Sequence, residues 1–359
     1  MISYAYMYVL GIESSCDETA ASVVVDGYKL LSNVVASSMD IHAQYGGVVP
    51  EIAARSHIEA IMPVIQQALA DAHCTWDDID AIAVTYGAGL NGSLLIGILA
   101  ARTLAIIKKK PLYAVNHVEG HIYVNFLTES ALDNYTMRTS APEFPMLGII
   151  VSGGHSQLVI WRDHFDYTLL GQTQDDAIGE AFDKVAKLMG FPYPGGIVVS
   201  QKAAEGDANR FSLPKARLSG KYDFSFSGVK TAVLRAAQQA VGKDFSLPSI
   251  ELPALLDDTQ KADLSASFQR TACETIVDKA VLAYNEFSPK SVVMGGGVAA
   301  NSELRKQLAE RLPLPIEYLD LKLCGDGGAL AATLGCFHAM HGRPTADPYT
   351  LDPKPNLSM

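Results

Sequence analysis

Two kinds of apolar pattern alternate along the chain. Short apolar runs ending in small residues predict strands. Val9-Leu10-Gly11-Ile12 runs into Glu13-Ser14-Ser15, and residues 19–25 return as a second strand. Met146-Leu147-Gly148-Ile149-Ile150-Val151 runs into Ser152-Gly153-Gly154-His155, and residues 157–161 return in the same way. Both copies carry Leu-Gly-Ile at the same point. Residues 51–70 and 265–287, which follow the first and second hairpin in turn, place apolar residues at helical spacing and predict amphipathic helices.

Each half adds a second unit. Residues 81–85 form a strand that enters Gly87-Ala88-Gly89-Leu90-Asn91-Gly92, with a helix from near Ser93. Residues 291–294 form a strand that enters Gly295-Gly296-Gly297, with a helix from near Asn301-Ser302. A strand, a glycine loop and a helix N-terminus present backbone N–H groups to an anion. The same order in both halves predicts an α/β, actin-like, two-lobed duplicated fold with nucleotide in the cleft between lobes. The expected bounds are residues 1–128 for the first lobe and 145–343 for the second. Polar residues 129–145 join them, residues 245–259 form an insertion, and Pro-rich residues 344–359 form an extended or loose tail.

Composition narrows the class. At 359 residues two lobes are expected, and 48% apolar content with a mean hydropathy of +0.13 fits sheets buried under helices. Only 19% of residues are charged, which excludes a disordered chain. No apolar run reaches the length of a membrane span, and residues 1–12 read as a first strand rather than a signal peptide. The five cysteines have no C-x-x-C spacing, which points to a reducing cytoplasm without a disulfide framework. A net charge of −11 opposes non-specific nucleic-acid binding by the whole surface, leaving local basic clusters such as Lys108-Lys109-Lys110.

His117 and His121 stand four residues apart, so on a helix both imidazoles reach one metal ion. The zinc-protease pattern H-E-x-x-H sets its glutamate beside the first histidine. Here Glu119 falls two positions later, about 200° around the helix, and points away from the metal face. Asp326, between Gly325 and Gly327, either completes a two-His-one-carboxylate site or caps the next helix. The turn Val151, Ser152, Gly153, Gly154 and His155 offers N–H groups to an anion. Asp176, Glu180, Asp183 and Lys184 are spaced to share a helical face, and Tyr193-Pro194-Gly195-Gly196 is a turn with free backbone donors. Asp17 and Glu18 either face the metal or are turn residues.

These segments, with Tyr222-Asp223-Phe224-Ser225-Phe226-Ser227-Gly228-Val229-Lys230 and Gly296-Gly297-Val298-Ala299-Ala300-Asn301, resemble the bacterial and organellar tRNA N6-adenosine threonylcarbamoyltransferase family, formerly labelled O-sialoglycoprotein endopeptidase. The resemblance spans residues 8–341. It implies transfer of threonylcarbamoyl from threonylcarbamoyl-AMP to N6 of the adenosine 3′ of the anticodon, in tRNAs reading ANN codons. It implies one divalent metal, Fe2+ or Zn2+, on His117, His121 and Asp326. Val151, Ser152, Gly153, Gly154 and His155 would meet the phosphate and carbamoyl region. Asp183, Gly196 and Asn301 would hold the nucleoside, and ATP or AMP would share the cleft. Glu13 or Asp17 would take the proton. As partners it implies tRNA, and either an inactive paralogue of the same fold with a small P-loop ATPase or a homodimer, with no membrane. The family's usual C-T-D-N reads Cys324-Gly325-Asp326-Gly327, its Pro after the double glycine is Ile197, its acidic residue is Ser200, and its Gly-Pro-Gly is Gly87-Ala88-Gly89. The other readings are an actin-like scaffold without catalysis and a metallopeptidase.

Overall fold

The computed structural model describes residues 6–359, so the first residues of the expected first strand lie outside the described residues. The chain forms two units, Met1–Pro142 with Glu317–Met359, and Glu143–Ile316.

The first unit is built on a six-stranded sheet of β1 (Tyr8–Glu13), β2 (Glu18–Val25), β3 (Lys29–Ser37), β4 (Ala81–Gly87), β5 (Leu112–Asn116) and β6 (Glu129–Ser130). Their spatial order is β5-β4-β1-β2-β3-β6. β1 and β2 form the expected hairpin, and β4 and β5 run parallel to β1. A short helix α1 (Met39–Ala43) precedes α2 (Pro50–Asp71), α3 (Asn91–Lys108) and α4 (His117–Tyr123). Strand alternation separates the faces of β1. Leu10 and Ile12 point into one core with Ile61, Val64 and Ile65 of α2 and Leu94, Ile98 and Ala101 of α3.

α3 meets the length and apolarity of a membrane span, the one such helix among the described residues, where the sequence reading expected none. It packs instead as a core helix on the sheet.

The second unit has a four-stranded sheet of β7 (Met146–Val151), β8 (Ser156–Asp163), β9 (Asp166–Gln172) and β10 (Ser291–Gly295), in the order β10-β7-β8-β9. β7 and β8 are an antiparallel hairpin, and β10 runs parallel to β7. This repeats β4-β1-β2-β3 of the first unit strand for strand, as the duplicated pattern predicts. Helices α5 (Ile178–Leu188), α6 (Gly195–Ala203), α7 (Ser227–Ala240), α8 (Leu252–Leu255), α9 (Asp258–Phe287) and α10 (Ser302–Arg311) complete the unit. α9 carries a capping box between Asp257 and Gln260, which starts it seven residues before the expected 265. α5 starts at Ile178, so Asp175 and Asp176 lie before the helix rather than on it.

The chain then returns to the first unit. α11 (Gly328–Met340) packs on β1, β2 and β4, and a Cβ at Gly11 would run into the Ala332 backbone. This departs from the expected second lobe, which ran to residue 343. Residues 344–359 are coil, yet they are docked. Ala346 N–H donates to Leu112 O (2.7 Å), and Lys354 N–H donates to Tyr86 O (2.7 Å).

Candidate metal centre and anion turn

β1, β4 and β5 end on the same side of the first sheet, the usual place for a site in parallel α/β structure. β5 leads directly into α4. Asn116 caps that helix, its Oδ1 accepting from Val118 N–H at 2.9 Å. All seven α4 residues are buried. The i, i+4 spacing sets the His117 and His121 rings edge to face, centroids 4.6 Å apart. The loop before α11 brings in Asp326, whose Oδ1 stands 3.6 Å from His117 Nε2 and 3.3 Å from His121 Nε2.

These three donors fit a metal ion. Ligand atoms about 2.1 Å from a tetrahedral ion stand about 3.4 Å apart. One atom from each residue lies within 4.8 Å of the others, and among the described residues this is the one cluster of metal-ligating type. His121 is fully buried, its Nδ1 has no hydrogen-bond partner, and its Nε2 faces Asp326 Oδ1. Burial lowers its pKa, which keeps the ring neutral, the form in which an imidazole can hold a metal.

His117 is oriented from behind. Its Nδ1 lies 3.1 Å from Glu13 Oε2 and 3.3 Å from Ser15 Oγ. Glu13 is fully buried. Its Oε2 also accepts from Thr85 Oγ (2.6 Å), and its Oε1 accepts from Ser15 N–H (2.6 Å). A carboxylate on the far nitrogen fixes the tautomer that leaves Nε2 for the metal. Burial works against the His117 imidazolium, but the charges of Asp326 and Glu13 outweigh it and raise the pKa to about 9. Burial likewise opposes the Glu13 carboxylate, and His117 outweighs it, so Glu13 lies below its usual range. Thr85 and Asn116 carry no motif and were not expected at the site.

Asp17 is also buried, and its carbonyl accepts from the Ser38 backbone and hydroxyl. Its neighbour Glu18 is pushed up to about 9 by burial, by its hydrogen bond with Asp17 and by the charges of Asp326 and Asp17. Glu18 is therefore protonated near neutral pH. Glu119 lies off the metal face, as its position on the helix requires. It is buried, Oε1 has no hydrogen-bond partner, and the charge acting on it is that of Arg343. A zincin-type base is therefore missing from the place where a peptidase needs it.

The second unit holds the remaining expected residues. Val151 ends β7, and the turn closes with Ser152 N–H donating to His155 O (2.8 Å) and His155 N–H to Ser152 Oγ (3.0 Å). Neither Gly153 nor Gly154 has a positive φ, and a Cβ at either would meet no atom within 4 Å. The fold itself does not require glycine there, and the missing side chains leave the backbone open to close approach. Gly296, at φ 95°, packs its backbone against Val151 and Ser152.

Asp183 does not stand free. Its Oδ1 accepts from the N–H groups of Gly195 (2.8 Å) and Gly196 (3.2 Å) at the start of α6. The donors of the Tyr193–Gly196 turn are thus already used, contrary to the sequence reading. Asn301 is similarly occupied. Its Oδ1 caps α10 through Leu304 N–H, and its Nδ2 donates to Ser200 Oγ (3.0 Å) and Gln269 Oε1 (2.9 Å). Lys184 Nζ bridges Asp176 (2.6 Å) and Glu180 (2.8 Å). Asp175 accepts from Ser225 Oγ and Phe226 N–H at the start of α7.

Known proteins resemble this chain over nearly its whole length. The family model described as tRNA N6-adenosine threonylcarbamoyltransferase matches residues 29–333. A relative of that name from Thermomicrobium roseum is 48% identical over 345 residues, covering 94% of this chain and 93% of the relative. Another from Symbiobacterium thermophilum is 47% identical over 332 residues, covering 92% and 91%. Among solved structures, T. kodakarensis HypF matches with a TM-score of 0.59 at 14% identity, covering 94% of this chain and 49% of that one. Component A of the Acidaminococcus fermentans (R)-2-hydroxyglutaryl-CoA dehydratase matches at 0.50 and 17%, covering 93% and 99%. Such structural likeness shows the fold alone, which is α/β and actin-like.

Proposed function

Since this chain belongs to the tRNA N6-adenosine threonylcarbamoyltransferase family, we propose that its His117, His121 and Asp326 hold the divalent ion, iron or zinc, on which its transfer to tRNA depends. The chain is an enzyme and tRNA is its substrate. The donor in this reading is threonylcarbamoyl-AMP, and the acceptor is N6 of the adenosine 3′ of the anticodon in tRNAs reading ANN codons. The observation that carries the metal assignment is the convergence of three donor atoms, from two buried histidines and the half-buried Asp326, with His117 oriented by Glu13.

In the reaction, the N6 amine bonds to the carbamoyl carbon, the bond from that carbon to the phosphate oxygen breaks, and AMP leaves. A bound divalent ion supplies Lewis acidity toward a carbonyl oxygen. In the turn from Val151 to His155, Ser152 and His155 N–H close the turn on itself, so the N–H groups of Gly153 and Gly154 are the ones offered to the phosphate and carbamoyl oxygens, and AMP or ATP uses the same contacts. Asp183 serves the nucleoside through Oδ2, because Oδ1 is committed to Gly195 and Gly196. Gly196, whose N–H is bonded to Asp183, contributes space for the nucleoside rather than a donor. Asn301 acts as a positioning residue, since its side-chain amide is already bonded. Ser200, in place of the family's acidic residue, supports Asn301 through a hydrogen bond. Glu13 accepts from three groups and orients His117, which leaves Asp17, beside the protonated Glu18, as the acceptor of the N6 proton.

Five free cysteines fit a cytoplasmic location. For partners we take either an inactive paralogue of the same fold with a small P-loop ATPase, or a second copy of the chain. Ile58 and Met62, exposed one turn apart on α2, fit a protein partner in the first unit.

Elemental analysis of purified protein tests the metal assignment. The expected result is one equivalent of ion in the parent chain and a large loss in Asp326→Ala. Full metal content in that variant refutes Asp326 as a ligand, and a metal-free parent that cannot be loaded favours a scaffold without catalysis.

A further inference from the structure

We propose that residues 344–358 are a strap that positions His117, an inference that rests on the reading of His117 and His121 as metal ligands. Their Pro-rich composition looks like that of a loose tail, but their backbone is held at successive points by the first unit. The Arg102 guanidinium of α3 donates three hydrogen bonds, Nε to Pro348 O (2.5 Å), Nη2 to Tyr349 O (2.6 Å) and Nη1 to Leu351 O (3.1 Å). Charge-assisted bonds of this kind are roughly twice as strong as neutral ones. Beyond that anchor the strap crosses the ends of β4 and β5. Lys354 N–H donates to Tyr86 O (2.7 Å), and Gly89 N–H donates to Pro355 O (3.1 Å). Gly87 is glycine because a Cβ there would run into the Lys354 carbonyl and the Leu357 side chain.

Two paths lead from the strap to His117. The first is direct. Asn116 Nδ2 donates to Ser358 O (3.1 Å), while Asn116 Oδ1 caps α4 one residue before His117. Gly87 and Asn116 are register partners across β4 and β5, so the strap grips both strands at one level. The second path runs through the glycine loop. Gly89 is bonded to the strap, Leu90 N–H donates to Ser15 O (2.7 Å), and Ser15 Oγ lies 3.3 Å from His117 Nδ1. A helix of seven residues cannot hold itself in register, and here its N-terminus is fixed by a cap that the strap in turn fixes.

A strap that only added buried surface would also pack Ala346 and Leu351 on the core, as they do here. The two readings differ in where loosening appears. In one variant residues 354–358 become Gly-Ser repeats and the Arg102 anchor stays. In a second, Asn116→Ser keeps a capping hydroxyl but loses the donor to Ser358. Amide hydrogen exchange on metal-free protein should be at least tenfold faster at residues 118–123 in both variants, with the β2–β3 hairpin unchanged. Zn2+ titration should show at least tenfold weaker binding, the scale on which outer partners act. Unchanged exchange at residues 118–123, or an equal rise across the β2–β3 hairpin, would overturn the proposal, as would unchanged Zn2+ affinity where the parent binds Zn2+. A parent chain that binds no Zn2+ would sink the metal reading instead, and the exchange result would still decide the strap.

Discussion

Glu13 Oε2 lies 3.1 Å from His117 Nδ1, with both side chains buried. The bond joins the end of β1 to the start of α4 and gives the first histidine its orientation. Removing the charge while keeping the shape tests it. Glu13→Gln should weaken Zn2+ binding by about 10–100-fold, read by calorimetric titration. Unchanged affinity would mean that Glu13 serves only the fold.

The same bond sets a pH dependence. His117 must lose its proton to bind metal through Nε2, and its pKa is raised to about 9. Zn2+ affinity should therefore climb about tenfold per pH unit from pH 7 to about 9, then level off. Without metal the sign reverses. The raised pKa gives stability that is complete below the ordinary value of 6.5 and lost as pH rises through about 9. Denaturant titrations of the metal-free protein at pH 6 and 9.5 should show that loss, and no loss would show that the imidazolium is not held by Glu13 and Asp326.

Glu119 separates this chain from a peptidase. Burial pushes its carboxyl up to about 7 against the opposing charge of Arg343. Stability is highest with it protonated and falls as pH rises from about 4.5 through 7. Glu119→Gln should thus stabilise the protein at pH 8 by about 3 kcal/mol, with little effect at pH 4, and should leave transferase activity intact. A general base would instead lose activity on this substitution.

Gly153 and Gly154 separate ligand contact from folding. Gly153→Ala meets no protein atom and no positive φ, so its melting temperature should hold or rise slightly. AMP binding should weaken more than about tenfold, because a Cβ would stand where the ligand meets the backbone. Parent-like AMP affinity would return the two glycines to an ordinary turn.

Much of this arrangement is legible in the residues. The hairpins before Ser14 and Ser152 show because apolar runs break at small residues, and the pairing of His117 with His121 follows from helical spacing. The return of α11 to the first unit was not legible. Ten of its thirteen residues are buried, so it has no polar face to say which sheet it covers. Thr85 and Asn116 are single polar residues without a pattern. The sequence predicts an extended or loose tail but not its docking, because backbone carbonyls, which no side chain advertises, make its contacts with Arg102 and Asn116. Asp183 and Asn301 were placed by resemblance, and their occupied atoms show only in three dimensions.

The most direct measurement is nucleoside analysis of tRNA from cells in which this chain replaces an essential homologue, with compatible partners supplied. The parent chain should restore threonylcarbamoyladenosine, and Asp326→Ala at equal expression should leave it absent. Full restoration by Asp326→Ala, or none by the parent, would contradict a transferase that works through the His117, His121 and Asp326 metal.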